Sequence, residues 1–330
     1  MNRPMSAGKK VLLSGAAGFI GMHTARKLLD LGYTVLGLDS LNDYYEVSLK
    51  EARLARVFEH SAADNFRFEK QDIADKDAIM AHFATFKPDT VIHLAAQAGV
   101  RYSITNPWAY VQSNLVGFMS MLEAARHHQV AHMLYASSSS VYGDSRAVPF
   151  AEEQRTDTPI SLYAATKKSN EVMAASYQHL YGIPLTGMRF FTVYGPWGRP
   201  DMSPALFMSA VLEGRPIKVF NHGKSRRDFT YIDDIVNAVV GLHQAPAPAA
   251  HTIVNIGNSC PVQLMDYIET IEQVAGIKAQ KEMLPAQPGD VTETFADTSK
   301  LAAALGITPA TSLVEGLRRY REWYRGYYGI

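Results

Sequence analysis

Val11-Leu12-Leu13-Ser14-Gly15-Ala16-Ala17-Gly18-Phe19-Ile20-Gly21 is a short apolar run that breaks into a glycine-rich turn and leads into a helical stretch. Gly15, Gly18 and Gly21 permit a tight turn and a close approach of another molecule to the backbone. The helix that follows presents unpaired N–H groups there, which suits an anionic group such as a diphosphate. A glycine turn in isolation is weak evidence, so its surroundings decide. Outward from it, Thr34-Val-Leu-Gly-Leu, Phe66-Arg-Phe-Glu, Thr90-Val-Ile-His-Leu, His132-Met-Leu-Tyr-Ala and Leu185-Thr-Gly-Met-Arg-Phe read as strands. Segments 23–31, 76–86 and 116–128 between them carry helical periodicity. Such alternation predicts an α/β protein, a Rossmann-type doubly wound parallel sheet with helices on both faces.

After Phe191 the alternation weakens, and prolines enter at Pro196, Pro200, Pro204 and Pro216. The expected organisation is a nucleotide-binding domain over 1–191 and a smaller mixed α/β substrate lobe over 192–330, with the reactive cleft between them. Thr252-Ile-Val-Asn-Ile reads as one more strand, so residues 251–257 are expected back in the main sheet and the boundary is interleaved. The Ala/Pro-rich stretch 244–251 reads as an exposed loop.

Lys plus Arg and Asp plus Glu both number 32, so no basic field is available to hold nucleic acid or an anionic membrane. Cys260 is the single cysteine, which rules out an internal disulfide and points to a reducing, cytoplasmic setting. The first ten residues lack the apolar core of a signal peptide, and the apolar run 11–22 is too short to span a bilayer. The histidines are scattered; His127, His128 and His132 read as surface or cap residues, and no metal site is expected.

Tyr163 and Lys167 lie four residues apart in Ser-Leu-Tyr-Ala-Ala-Thr-Lys, and Ser138 lies upstream in Tyr-Ala-Ser-Ser-Ser-Ser-Val-Tyr-Gly. Residues at i and i+4 share a helix face, so the ammonium can sit beside the phenol. A neighbouring cation draws a tyrosine pKa down from about 10, which suits a general base. Alone, a Tyr-x-x-x-Lys pair is more often a solvated helix face. With the serine run and the glycine turn, it reads as a nicotinamide-dependent site that moves a hydride and a proton from one alcohol carbon. Asp39 ends the second strand, where a carboxylate can accept from the adenosine ribose hydroxyls and repel a 2′-phosphate; NAD is therefore expected rather than NADP. Asp72-Ile73 follows the third strand at a place suited to the adenine edge, although a strand-end Asp cap explains Asp72 nearly as well.

The glycine turn with Phe19 and Ile20, His93-Leu94-Ala95-Ala96-Gln97 at the fourth strand's end, Asn114, the Ser-Ser-Ser-Val-Tyr-Gly run and Tyr163-x-x-x-Lys167 together resemble the extended short-chain dehydrogenase/reductase superfamily over essentially the whole chain. Asn42-Asp-Tyr-Tyr, Leu49-Lys-Glu-Ala-Arg-Leu, Ala96-Gln-Ala-Gly-Val-Arg-Tyr-Ser, Pro196-Trp-Gly-Arg-Pro-Asp-Met and Gln287-Pro-Gly-Asp-Val narrow the resemblance to the UDP-glucuronate 4-epimerases within the NAD-dependent epimerase/dehydratase family. The resemblance implies tightly held NAD and homodimers packed through helices of the nucleotide-binding domain. It also implies a 4-keto sugar intermediate, with Tyr163 as base, Lys167 lowering its pKa and holding the nicotinamide ribose, and Ser138 bonding the reacting oxygen.

Ser139 and Ser140 stand where sugar-nucleotide 4,6-dehydratases carry Asp-Glu, and Ser140 where uronate decarboxylases usually carry Glu, which argues against both chemistries. Arg199 is the candidate for holding the uronate carboxylate, with Thr192 facing the same group; an ion pair between lobes is the alternative role for Arg199. By resemblance Arg227 and Asp290 hold the diphosphate and nucleotide ribose, with Arg226 as the alternative to Arg227. Arg101 is placed near sugar or diphosphate, or equally at an ordinary surface. The tyrosines between 320 and 328 read as an aromatic C-terminal helix packed on the lobe. Competing readings are a 4-epimerase for a neutral or N-acetylated UDP-sugar, an NADH-releasing oxidoreductase or decarboxylase, and a non-catalytic NAD-binding regulator.

Overall fold

The computed structural model describes residues 10–286 and 293–330. The first half runs β1 (Lys10–Ser14), α1 (Phe19–Asp30), β2 (Thr34–Asp39), α2 (Val47–Phe58), β3 (Phe66–Lys70), α3 (Lys76–Phe86) and β4 (Thr90–His93). Two short turns, α4 (Tyr102–Thr105) and α5 (Pro107–Tyr110), lead through a π-helical stretch into α6 (Gly117–His127). Then follow β5 (His132–Ser138), α7 (Leu162–Tyr181) and β6 (Leu185–Phe190). These strands pair in parallel in the order β6-β5-β4-β1-β2-β3, and β10 (Thr252–Ile256) joins beyond β6. Strands buried on both faces need continuous apolar runs. Val11 and Leu13 pack into one helical layer and Leu12 into the other, all fully buried.

The remainder comprises β7 (Thr192–Tyr194), α8 (Ser203–Leu212), β8 (Ile217–Val219), β9 (Arg226–Tyr231) and α9 (Ile232–Gln244) before β10. Past it come β11 (Pro261–Gln263), α10 (Leu264–Ala275), β12 (Lys281–Met283), β13 (Glu293–Thr294), α11 (Ser299–Leu305) and α12 (Leu313–Tyr328). Here β9 is the hub, pairing with β7 and β13 in parallel and with β11 antiparallel. The expected strands are present. The first helix begins at Phe19 rather than His23, because the glycine turn runs straight into it. His132 is not a surface or cap residue: it lies 1% exposed in β5, its Nε2 2.9 Å from the Thr186 hydroxyl. Burial lowers its pKa to about 4, so it packs as a neutral core side chain. No helix among the described residues is long and apolar enough to cross a membrane, and no cluster of His, Cys, Asp or Glu there is arranged to hold a metal.

β1 and β4 are neighbours while the chain order runs outward from β1 to β2 and β3. The strand order therefore reverses between β1 and β4, and a crevice opens beyond their carboxyl ends, where ligands of open α/β sheets bind. A cleft of about 340 Å³ lies there, with walls from both halves of the molecule.

Candidate active site

The glycine turn forms one end of the cleft. Gly15 has φ +76, and a Cβ on it would lie 2.8 Å from the Ala95 nitrogen. A Cβ on Gly21 would lie 1.9 Å from the Gly15 carbonyl oxygen, so this helix cannot sit so close to the turn with any other residue. Gly18 precedes α1 in extended conformation, leaving the N–H groups of Phe19 and Ile20 at the open end of the helix. Asp39 closes the next strand: its Oδ2 accepts from the Ala17 N–H at 3.1 Å and its Oδ1 from the Leu41 N–H at 2.9 Å. Burial raises its pKa, against those two bonds and the charges of Lys50 and Arg53. A backbone cradle that excludes side chains, with a carboxylate one strand away, fits a dinucleotide with free ribose hydroxyls. Asp72, Ile73, Ala95 and Gln97 line the same cleft. Asp72 is also a local cap, its Oδ1 accepting from the Ala74 N–H at 2.9 Å.

Asn114 has a different place. It is buried, and it is absent from the cleft walls. Its Oδ1 accepts from the Gln97 N–H at 2.8 Å, and its Nδ2 donates to the Gln97 carbonyl and the Thr166 hydroxyl, both at 3.0 Å. The side chain braces the loop that carries Gln97 rather than facing the cleft.

The reactive end is built on α7 and the end of β5. Ser161 caps α7, its hydroxyl accepting from the Ala164 N–H at 3.1 Å, and the first turn then aims Tyr163 and Lys167 into the cleft. Ser138, 7% exposed, hydrogen-bonds the Tyr163 hydroxyl and accepts from the Ser140 N–H at 3.2 Å. Lys167, 3% exposed, donates to the Ala136 carbonyl at 2.9 Å. Burial lowers the Lys167 pKa to about 8.

The electrostatics differ from the expectation that Lys167 lowers the tyrosine pKa. Burial raises the Tyr163 pKa, and the opposing influences are the Ser138 hydrogen bond and the charge of Arg199. Lys167 spends its ammonium on a backbone carbonyl of β5, while Arg199 presents a charge across the cleft. Desolvation thus works against the Tyr163 phenolate, and the Ser138 hydrogen bond and the Arg199 charge work for it.

Arg199 and Thr192 both line the cleft with Ser139. Arg199 pairs with Asp201, two residues along, its Nε donating to Oδ1 at 3.1 Å. Tyr44 donates to the same carboxylate at 2.9 Å, and the Arg199 guanidinium lies 5.9 Å from the centre of the Tyr44 ring. Arg101 and Arg227 are not among the cleft walls. Arg101 sits over the Phe220 ring at 5.0 Å, and Arg227, on β9, donates to the Arg226 carbonyl at 2.9 Å. Arg226 itself is ion-paired with Glu293 at 2.7 Å. Asp290 and Gln287 lie outside the described residues.

Sequence reasoning gave no role to Lys50, Asn42 or Tyr44, although all three line the cleft. Lys50 is 5% exposed and donates to the Asn42 Oδ1 at 2.7 Å, beside Asp39. A signal was present: on α2 the buried positions are Leu49, Lys50, Arg53, Leu54 and Val57, and two cations on an apolar helix face call for buried partners.

The model of the NAD dependent epimerase/dehydratase family matches residues 11–257. The chain is 46% identical to a probable UDP-glucuronate 4-epimerase of Rhizobium meliloti, over 96% of each protein. It is similar in structure to a UDP-glucuronic acid 4-epimerase from Bacillus cereus solved with UDP-glucuronic acid and NAD, with a TM-score of 0.91, 33% identity, and coverage of 97% of this chain and 100% of that one. A UDP-glucose 4-epimerase from Thermotoga maritima solved with UDP-glucose is also similar, with a TM-score of 0.87, 29% identity, and coverage of 97% of this chain and 99% of that one. Three quarters of the chain fall under the family pattern, and the glycine turn, the strand order and the Ser138–Tyr163–Lys167 geometry all fall within it, so this chain belongs to the NAD dependent epimerase/dehydratase family.

Proposed function

We propose that this chain is a UDP-glucuronate 4-epimerase, interconverting UDP-glucuronate and UDP-galacturonate through a transient 4-keto sugar. The observation that carries the reading is one cleft in which the hydrogen-bonded Ser138–Tyr163 couple feels the charge of Arg199. A neutral hexose offers a cation beside C6 only a hydroxyl, whereas a uronate offers a carboxylate that can pair with it in bidentate fashion. The same-cleft arrangement and the relatives named above support the uronate over the neutral sugar. Residues 1–191 then serve as the NAD-binding domain and 192–330 as the substrate lobe.

NAD, when bound, takes the C4 hydride and returns it to the opposite face of the sugar. Tyr163 accepts the proton of the 4-hydroxyl and later gives it back. Ser138 donates to the same oxygen and stabilises the charge that develops there. Lys167 holds the nicotinamide ribose, and the glycine turn with Asp39 holds the adenosine half. Gln97 and Ala95 shape the wall between these ends.

Oxidation at C4 makes the uronate a β-keto acid, which loses carbon dioxide when its C5–C6 bond lines up with the ketone π system. Arg199, with Thr192 and Ser139, holds the carboxylate out of that alignment. Arg227 and Asp290 are assigned to the nucleotide end on resemblance alone. A homodimer and a cytoplasmic location belong to the same reading. The dimer is supported by exposed apolar side chains on α5 and α7, Trp108 at 77%, Val172 at 58% and Leu180 at 63%. The location is supported by the single cysteine, Cys260.

A proton NMR time course of the purified protein with UDP-glucuronate and no added reductant tests the reading. UDP-galacturonate is expected, without UDP-pentose or released NADH. Turnover of UDP-glucose alone would keep the mechanism and refute the uronate assignment.

A further inference from the structure

The segment that carries Arg199, residues 195–202, contains no helix or strand and is held by side chains from the nucleotide-binding half. His23 on α1 donates from Nε2 to the Pro196 carbonyl at 3.0 Å; a carbonyl only accepts, so the ring proton is on Nε2. Arg53 on α2 donates to the Trp197 carbonyl from Nε at 3.0 Å and from Nη2 at 2.8 Å. Its Nη2 also reaches the Gly198 carbonyl at 3.2 Å. On its other side Nη1 donates to the Ala17 carbonyl at 3.2 Å and to the Tyr45 hydroxyl at 2.6 Å.

Arg53 is fully buried, and among the described residues no carboxylate pairs with it. A charge in such a place is costly unless its donors are all used, and here four bonds go to backbone carbonyls and one to the Tyr45 hydroxyl. The Gly198 carbonyl and the Arg199 N–H belong to one planar peptide, so fixing that carbonyl sets the direction in which Arg199 leaves the chain. Trp197, just before it, holds φ +66, a conformation that a bulky side chain rarely adopts. Its ring packs on Trp323 at 5.4 Å and Tyr327 at 5.2 Å. Ala17 belongs to the glycine turn, so one guanidinium ties the dinucleotide cradle to the segment that presents Arg199.

We infer that Arg53, seconded by His23, is a positioning residue that locks the backbone aiming Arg199 and so limits how often the 4-keto uronate loses its carboxyl group. The inference rests on the proposed function. In the side reaction the C5–C6 bond breaks and its electron pair forms the C4–C5 enolate. Carbon dioxide leaves and a solvent proton adds at C5, so no oxidant or reductant is consumed. Hydride return to C4 then yields a UDP-pentose.

The experiment compares the holoenzyme with the variants Arg199→Met, Arg53→Lys and His23→Leu, reading the ratio of decarboxylated product to UDP-galacturonate after addition of UDP-glucuronate. That ratio does not depend on how much enzyme is folded, so a purely structural loss leaves it unchanged. Lysine keeps the charge of Arg53 but cannot reach both carbonyls and Ala17 from one nitrogen. A rise of about tenfold is expected for Arg53→Lys, since an ångström of misplacement is enough to lose control of a reacting group, with a smaller rise for His23→Leu. A raised ratio for Arg199→Met with wild-type ratios for the other two would overturn the positioning role and leave the carboxylate clamp standing. If Arg53→Lys does not fold, the His23→Leu ratio decides in the same way. An unchanged ratio for Arg199→Met would remove the clamp and the positioning role together.

Discussion

Arg189 and Arg199 both hold a carboxylate close to the Ser138–Tyr163 couple, yet their surroundings give them opposite work. Arg189, on β6, grips Glu171 of α7 through two bonds, Nε to Oε1 at 2.8 Å and Nη2 to Oε2 at 2.9 Å. Its remaining nitrogen donates to the Tyr142 hydroxyl at 2.9 Å and the Glu152 carbonyl at 3.3 Å. Glu171 also accepts from Ser137, the neighbour of Ser138, at 2.7 Å. Both side chains are about closed to water, at 3% and 4% exposure. Arg199, which lines the cleft, and its partner Asp201 keep 21% and 26% of their side-chain surface open to solvent. The buried pair has no donor left to offer and can only fix the strand and helix that hold the serine and tyrosine. The cleft pair still faces outward, so its cation is available to a ligand and its charge reaches Tyr163.

The largest effect expected from this contrast is on stability. Arg189→Met takes both guanidinium bonds from the buried Glu171 carboxylate, leaving it Ser137 and the more distant Lys168 at 3.8 Å, and should lower the unfolding free energy by about 3–5 kcal/mol. Denaturant titration measures it, and a loss below about 1 kcal/mol would mean that the pair is wetter than its geometry indicates. Next is Tyr163→Phe, between the two arginines, which should cut kcat by about 10²–10⁴-fold while NAD stays bound. Retained turnover would take Tyr163 out of the proton transfer. Arg199→Met should shift the unfolding free energy by no more than about 1 kcal/mol, because its pair is partly solvated; a loss as large as that of Arg189→Met would erase the distinction.

The smallest effect is on pH dependence. Lys167 has its pKa lowered from 10.5 to about 8, so its ammonium is intact below that value and lost above it. A step that needs the cation should therefore lose kcat/KM as pH rises through about 8, and a profile flat to about pH 10 would show that the cation is dispensable.

The parts of this site that were legible in the sequence are those whose geometry is local. Gly15, Gly18 and Gly21 declare a turn by their spacing, and Tyr163 and Lys167 share a helix face by theirs. The alternation of apolar runs predicts the parallel sheet without knowledge of any contact. Arg199 was legible only through resemblance, and its partner Asp201, two residues on, could have been noticed as a local pair. Asn114 illustrates the opposite case: its residue type suits a ligand contact, but the fold turns it towards Gln97 and Thr166. His132 was misplaced because a histidine on a strand carries no local mark of burial, and Thr186, 54 residues away, supplies its partner.

By itself the sequence determined the strand and helix order, the turn that receives an anionic group, and the helix face that Tyr163 and Lys167 share, because each follows from backbone periodicity over a few residues. Only the tertiary structure decided which cation Tyr163 feels, where Lys50 and Arg53 spend their donors, and what holds the segment that carries Arg199. Arg53 and Trp197 lie 144 residues apart, and no spacing rule connects them. Burial and hydrogen-bond satisfaction are properties of the packed molecule, set when α2 closes over both the glycine turn and the 195–202 segment.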